Sequence, residues 1–382
     1  MGTTAHSLDD IETPSLVLDV TRMERNIDRL TRRLTSFGVS FRPHVKTAKS
    51  IDVVERLLGD RAGPITVSTL QEAEYFAGCG ITDMTYAVGL APGRIARVQA
   101  LNARGMNLSV LIDSPEQARA LVAAAHSTRG TPGVLIEIDC DGHRGGVRPD
   151  DPQLLAIAAV LRSGGVDLRG VLTHAGESYS CRGGMGLPQA AEAERVAAVS
   201  AAERLRAAGH EAPVVSVGST PTAHFAQDLS GVTEVRAGVF VFFDLVMHGI
   251  GVCAIDDIAL SVLATVIGHR TEKGWLLIDA GWMALSRDRG TARHPVDQGY
   301  GVVCDVEGRP VGDLIVSDAS QEHGIVSVRP GSGSRLPDLP IGTRVRILPN
   351  HACATGAQHD CYHVVRPGSR ELFATWPRMR GW

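Results

Sequence analysis

The sequence predicts an α/β protein, a (β/α)8 TIM barrel with a second, mainly β domain. Three observations carry this expectation. Eight strand-like runs alternate with helix-like runs between residues 40 and 242, strands such as Val134 to Ile138 are apolar nearly throughout, and helical periodicity becomes rare after Phe242. Alternating β and α units point to a parallel sheet. Strands without polar alternation are those covered by helices on one side and by a packed interior on the other. A chain of 382 residues is long enough for a barrel and an appended domain.

Taken in order, Ser15 to Val20 reads as a strand that precedes the barrel and adds to the β domain. Thr21-Arg22-Met23-Glu24 has the spacing of a capping box, so a helix is expected from Thr21, with Met23, Ile27, Leu30, Leu34 and Phe37 as its apolar stripe. The barrel strands are expected at Ser40 to Val45, Pro64 to Thr69, Asp83 to Val88, Asn107 to Asp113, Gly133 to Asp139, Leu168 to His174, Val214 to Ser219 and Glu234 to Phe242. Between the fourth and fifth, Ser114-Pro115-Glu116-Gln117 offers a cap, a proline at the first helical position and a glutamine at the third. Farther on, Ala259 to Gly268, Trp275 to Asp279, Gly324 to Val328 and Thr343 to Leu348 are β-like runs separated by Gly, Pro and Asp turns. The expected division is a barrel over 21–248 and a β domain built from 1–20 and 249–382.

Composition narrows the function classes. The chain is 44% hydrophobic and 21% charged with a formal charge of −4, and no excess of either sign argues against nucleic acid or a membrane surface as partner. No apolar run reaches the roughly 18 residues of a membrane span, and Met1 to Asp10 lacks the basic flank and apolar core of a signal peptide. A cytoplasmic protein is expected. Seven cysteines without a framework spacing fit reduced thiols.

The candidate chemistry lies in the loops that follow the strands, where barrel enzymes keep their reactive groups. Lys46, in Arg42-Pro43-His44-Val45-Lys46-Thr47, follows the first barrel strand. The seventh ends in Ser216-Val217-Gly218-Ser219-Thr220-Pro221-Thr222, and Arg236-Ala237-Gly238 lies in the eighth. Glycines there let backbone N–H groups approach phosphate oxygens, and Ser219 and Thr220 add hydroxyls at a helix start. The sixth strand ends in Thr173-His174-Ala175-Gly176 with Tyr179 beyond, and the fifth leads into Asp139-Cys140-Asp141-Gly142-His143-Arg144. Taken singly these are a solvated lysine and ordinary turns. Together, a lysine, a phosphate cradle and His174, Tyr179 and Arg144 suggest pyridoxal phosphate (PLP) bonded to Lys46. In Pro349-Asn350-His351-Ala352-Cys353 an imidazole and a thiol lie two residues apart on β-like chain, facing one way, and suit Zn²⁺. His359, Cys361 and His363 alternate likewise and form either structural neighbours or a second metal cluster.

The order Pro-His-Val-Lys-Thr, Thr-His-Ala-Gly, Gly-Ser-Thr-Pro-Thr, Arg-Ala-Gly-Val, Asp-Ala-Gly, Glu-His-Gly and Pro-Asn-His-Ala-Cys, from Thr13 to Trp382, resembles the D-serine dehydratase and D-threonine aldolase group of the alanine-racemase-like, fold-type III PLP enzymes. The resemblance implies that Lys46 carries PLP, that Gly218, Ser219, Thr220 and Gly238 hold its phosphate, and that Arg144 faces its phenolic side. It implies a divalent metal on His351 and Cys353, Zn²⁺ first and Mn²⁺, Co²⁺ or Mg²⁺ otherwise, with the remaining positions left to water or substrate. It further implies a homodimer in which the β domain of one subunit reaches the other's barrel mouth. The His-x-Cys form resembles the dehydratase members, whereas aldolase members tend to show His-Cys-Asp.

The expected reaction is elimination of water from a D-β-hydroxy amino acid, with Lys46 as base. The run from Trp282 to Arg293 resembles the 3-hydroxyaspartate dehydratase branch, and Arg289 and Arg293 are candidates for binding a second substrate carboxylate. Their other reading is a set of structural ion pairs. D-threo-3-hydroxyaspartate is the first substrate expected, then D-serine and D-threonine. A retro-aldol lyase, a non-catalytic PLP carrier and a racemase remain alternatives.

Overall fold

The computed structural model describes residues 6–125, 129–181 and 186–382. Residues 1–5 of the N-terminal stretch expected in the β domain, and 126–128 and 182–185 of the expected barrel, lie outside the described residues. The chain divides into two compact units, one of Arg29–Gly238 with Gly381–Trp382, the other of the described part of Met1–Asp28 with Val239–Arg380.

After β1 (Ser15–Asp19) and α1 (Val20–Ser36), the alternating series runs β2 (Ser40–Phe41), α2 (Ile51–Leu58), β3 (Ile65–Val67), α3 (Leu70–Gly78), β4 (Asp83–Gly89) and α4 (Ile95–Ala103). It continues with β5 (Asn107–Ile112), α5 (Pro115–Ala125), β6 (Val134–Ile138), α6 (Gln153–Ser163), β7 (Leu168–Thr173), α7 (Leu187–Ala207), β8 (Val214–Val217), α8 (Thr220–Phe225) and β9 (Glu234–Val235). Strands β2 to β9 form one parallel curled sheet in the order β2-β9-β8-β7-β6-β5-β4-β3. All five residues of β6 are buried, as its unbroken apolar run requires. Leu111, Leu135 and Leu172 pack into one cluster of this unit's core. Just past β2, a parallel bridge pairs His44 with Thr66 of β3, through Val45 N–H to Thr66 O at 2.9 Å and Thr66 N–H to Pro43 O at 2.8 Å.

Two local expectations need correction. Helix α1 begins at Val20 rather than Thr21, because the Asp19 carboxylate accepts the Arg22 N–H at 2.9 Å and supplies the cap itself. Its stripe holds otherwise: Met23, Ile27, Leu30 and Leu34 are buried, each worth about 2 kcal/mol, while Phe37 falls beyond the helix end. Strand β9 stops at Val235 and not at Phe242. Gly238 is drawn against His44 and Thr47, and Val239–Val241 winds into a 3-10 turn. The cap at α5 forms as expected, with Gln117 N–H to Ser114 Oγ at 3.3 Å and Ser114 N–H to Gln117 Oε1 at 3.0 Å.

The other unit carries α9 (Leu245–Gly249), β10 (Leu260–Arg270), β11 (Trp275–Ile278), α10 (Trp282–Leu285), β12 (Gly301–Cys304), β13 (Pro310–Ala319), β14 (Gly324–Val328), β15 (Arg344–Pro349), α11 (Ala352–Gly356), β16 (Cys361–Val365) and β17 (Leu372–Pro377). Its nine-stranded sheet runs β11-β14-β13-β12-β15-β10-β1-β16-β17, and β11 also pairs with β10, so six strands close into a ring. All pairings are antiparallel except β1 with β16. The strand Ser15–Asp19 thus joins the β unit, as its sequence position suggested. All seven cysteines are free thiols. Among the described residues no helix is long and apolar enough to cross a membrane.

Candidate active site

In a parallel sheet all strand C-termini share one edge, and the loops after β2, β6, β7, β8 and β9 hold the residues of interest. Lys46 lies in the turn after β2, with its side chain exposed. The neighbouring Lys49 is engaged by the buried Glu72 at 3.2 Å, whereas no described carboxylate pairs with Lys46. Burial first, then the charges of Lys46 and Arg236, hold His44 well below the usual imidazole range. Burial likewise brings His174 down to about 3, reinforced by Lys46, Arg236 and Arg144 and opposed by its bond to Gly218. His174 Nδ1 lies 3.0 Å from Gly218 O. A carbonyl only accepts, so Nδ1 carries the proton and Nε2 is left as acceptor. The Tyr179 ring centroid is 6.1 Å from that of His174. Arg144 is largely exposed and 3.5 Å from Glu137 of β6.

The loop after β8 differs from expectation in one respect. Gly218 has φ +141°, and a Cβ there would sit 1.9 Å from Arg236 O, so only glycine lets these two strand ends lie together. Its N–H, however, donates to Glu194 Oε1 at 2.9 Å, and the Ser219 N–H donates to Thr222 Oγ1 at 3.0 Å. Those two backbone donors are occupied within the protein. Ser219 caps α8, its Oγ accepting the Thr222 N–H at 3.2 Å. Gly238 is buried, and its N–H meets no acceptor among the described residues. A Cβ at Gly238 would lie 3.1 Å from both His44 O and Thr47 Oγ1. An orphaned buried donor in a cradle that a Cβ would crowd, next to the Lys46 turn, fits a phosphate. The residues present therefore fit PLP.

Sequence reasoning missed two residues here. Arg236 is fully buried and donates to Ser216 Oγ at 2.7 Å and to Thr173 O at 2.6 Å, tying β7, β8 and the end of β9 together. Glu194, on α7, accepts from two loops. The Arg-Ala-Gly-Val motif contained the first. Nothing distinguished Glu194 from a solvated helix residue.

The antiparallel unit brings His351 and Cys353 into contact, but not by strand alternation. His351 is the extended residue that precedes α11, and Cys353 lies in that helix's first turn. His351 Nδ1 is 2.6 Å from Asp288 Oδ2. Burial opposes charge on His351, yet Cys353, then the bond to Asp288, outweigh it and push the imidazole up to about 11. Asp288 is held below its ordinary value by the same hydrogen bond. Behind them the buried Asp244 accepts Met247 N–H at 2.9 Å and Ala352 N–H at 3.0 Å, so one carboxylate anchors α9 and α11. A carboxylate on Nδ1 orients a histidine to present Nε2 to a metal. With a thiol beside it, the donor set fits a divalent ion. Among the described residues no group of three or more His, Cys, Asp or Glu could hold a metal, so the protein offers two ligands here and not a closed cage. Asp288 lay inside the segment read only for its arginines.

That segment does not bring its two candidate arginines, Arg289 and Arg293, to one task. Arg289 pairs with Asp297 at 2.5 Å and stacks over Tyr300 at 5.3 Å. Arg293 ends a 3-10 turn and is exposed. The rival cluster also separates. Cys361 Sγ lies 3.9 Å from His363 Nε2 on β16, but His359 turns to Ala284 O at 3.0 Å.

Residues 18–246 match the alanine racemase N-terminal domain family, and residues 259–365 match the serine dehydratase domain family. D-threo-3-hydroxyaspartate dehydratase of Delftia sp. (strain HT23) is 53% identical over 376 residues, covering 97% of this chain and 98% of that enzyme. D-serine dehydratase of Dictyostelium discoideum is 28% identical over 378 residues, covering 94% of each. Among solved structures, the D-threo-3-hydroxyaspartate dehydratase C353A mutant in the metal-free form superposes with a TM-score of 0.95 at 52% identity, over 99% of this chain and 100% of that one. Two family matches in order along the chain, and a relative 53% identical over 97% of it, place this chain in the D-serine dehydratase group of the alanine-racemase-like, PLP-dependent enzymes.

Proposed function

We propose that this protein is a PLP- and divalent-metal-dependent dehydratase of D-β-hydroxy amino acids, converting D-threo-3-hydroxyaspartate to oxaloacetate and ammonia, with D-serine to pyruvate as a second reaction. The observation that carries elimination is the contact of His351 with Cys353 backed by Asp288, a pair of metal donors that neither a racemase nor a PLP carrier would need. The activity of the Delftia relative supports the substrate.

When bound, PLP supplies a sink for the electrons left at Cα, and the metal supplies a Lewis acid for the departing hydroxide. Lys46 is the residue that carries the cofactor and takes the Cα proton, its amine not engaged by a carboxylate. The Gly238 N–H is the phosphate donor, with Gly218, Ser219 and Thr220 shaping the loop around it; the Ser219 hydroxyl already meets Ser178 Oγ and Thr222 Oγ1, each at 3.0 Å. Arg144 serves the phenolic side, and His174 and Tyr179 fix the ring. His351 Nε2 and Cys353 Sγ hold the metal, Zn²⁺ by the softness of the thiolate. Asp288 keeps the His351 proton on Nδ1, so that Nε2 remains a donor. Asp288→Asn should weaken Zn²⁺ binding by about 10- to 100-fold, the usual cost of losing a carboxylate behind a ligating histidine. Competition with a chromogenic chelator measures this, and unchanged affinity would remove Asp288 from the site.

Arg293 is the cation for the second substrate carboxylate, since Asp297 occupies Arg289. Arg293→Ala is expected to lower kcat/KM for D-threo-3-hydroxyaspartate by about tenfold or more relative to D-serine, from loss of a charge-assisted hydrogen bond. Arg289→Ala should affect both substrates alike. A ratio that stays constant in Arg293→Ala would end this assignment.

We also read residues 21–248 as the PLP-binding (β/α)8 barrel and 1–20 with 249–382 as the β domain. The bridge between His44 and Thr66 supports closure of the parallel sheet. A cytoplasmic homodimer completes the reading, supported by the family resemblance. The deciding experiment is product analysis of PLP-loaded protein with D-threo-3-hydroxyaspartate, D-serine and D-threonine, chelated and then resupplied with Zn²⁺. Oxaloacetate or pyruvate with ammonia, lost on chelation and regained with zinc, is the expected result. Glycine with an aldehyde would indicate the retro-aldol reaction instead.

A further inference from the structure

Glu194 projects from α7 into the parallel unit and is fully buried at 2% exposure. Its Oε1 accepts the Ala175 N–H at 2.9 Å and the Gly218 N–H at 2.9 Å. Ala175 follows His174, and Gly218 precedes Ser219 and Thr220. A single oxygen thus joins the loop after β7 to the loop after β8, and the bond from His174 Nδ1 to Gly218 O at 3.0 Å closes the ring. Burial pushes the Glu194 carboxyl above its ordinary range, opposed by Thr222, by the Gly218 and Ala175 N–H groups and by the charge of Arg236.

We infer that Glu194 is a positioning residue for cofactor binding, a strut that fixes the spacing between the His174–Tyr179 loop and the Gly218–Thr220 loop. This rests on the PLP reading above. The mechanism did not need Glu194, and a buried carboxylate is costly unless its hydrogen bonds are used. Here they are used on the two loops that carry His174, Tyr179, Ser219 and Thr220. A cofactor-binding residue must be placed within a few tenths of an ångström, which loops seldom achieve without such support. By taking the Gly218 N–H, the strut also leaves Gly238, just past β9, as a backbone N–H that meets no acceptor among the described residues.

Position and charge are separable by two variants. Glu194→Gln keeps the accepting oxygen in place without charge. Glu194→Asp keeps the charge but withdraws the oxygen by about 1.5 Å, one carbon–carbon bond. Titration of each apo-protein with PLP, followed by absorbance of the bound cofactor, gives the dissociation constant. Glu194→Gln should bind within about threefold of wild type, and Glu194→Asp about 10- to 100-fold more weakly, as for other supporting-shell losses. Excess PLP should restore the turnover of Glu194→Asp, and its apo-protein should unfold at the wild-type midpoint, which a variant with a folding defect would not. Wild-type affinity in Glu194→Asp, or the reverse order of the two variants, would overturn the positioning role and leave the PLP reading intact. Failure of the wild-type chain to bind PLP would overturn that reading and the inference with it.

Discussion

Replacement of Lys46 by alanine is expected to abolish turnover, by about a thousandfold or more, and to remove the absorbance of the covalently attached cofactor. Two functions end at once. The amine that carries PLP is lost, and so is the base for the Cα proton, a role that alone contributes about 10²- to 10⁴-fold. Lys49 does not replace it, because its ammonium is held by the buried Glu72 at 3.2 Å. Lys46→Arg, which keeps the charge but cannot form the covalent link, should be equally inactive. Lys46→Ala should still bind PLP noncovalently through the phosphate cradle. Substantial turnover in purified Lys46→Ala would end the proposed mechanism.

Removal of the metal or of its donors should have the next largest effect. Hydroxide is a poor leaving group, and a Lewis acid at that oxygen is worth several kcal/mol. About 4 kcal/mol corresponds to roughly a thousandfold in rate. Chelated wild type, His351→Ala and Cys353→Ala should therefore lose about three orders of magnitude in kcat, and added Zn²⁺ should rescue only the first. Both variants should keep PLP bound, since the phosphate cradle belongs to the other unit. Metal analysis alongside ammonia release distinguishes the outcomes. Full activity in a chelated protein shown to hold no metal would move the assignment to metal-free chemistry.

Much of this was legible in the chain. The eight strands of the parallel sheet announce themselves as apolar runs because burial on both faces leaves little room for polar residues. Their order places Lys46, His174, Gly218 and Gly238 on one edge with no knowledge of contacts. The His351 and Cys353 pair was singled out by the family resemblance, and the strand alternation expected of it is not what brings the two together, since His351 is extended and Cys353 lies in the first turn of α11. Strand alternation and a helix start both bring residues two apart together when the first is extended, and the sequence does not distinguish them.

What the sequence by itself determined is periodicity: which segments bury a face, which loops follow which strands, and hence which residue types gather at the strand ends. Tertiary structure alone decided which polar groups answer one another. Asp288 meets His351 across 63 residues of chain. Glu194 reaches back 19 residues to Ala175 and forward 24 to Gly218. Arg289 is committed to Asp297 while Arg293 is left exposed. The physical reason is that apolar burial is nondirectional and needs only a face, so it repeats along the chain. A hydrogen bond needs one partner at one distance and angle, and that partner is set by how the segments pack.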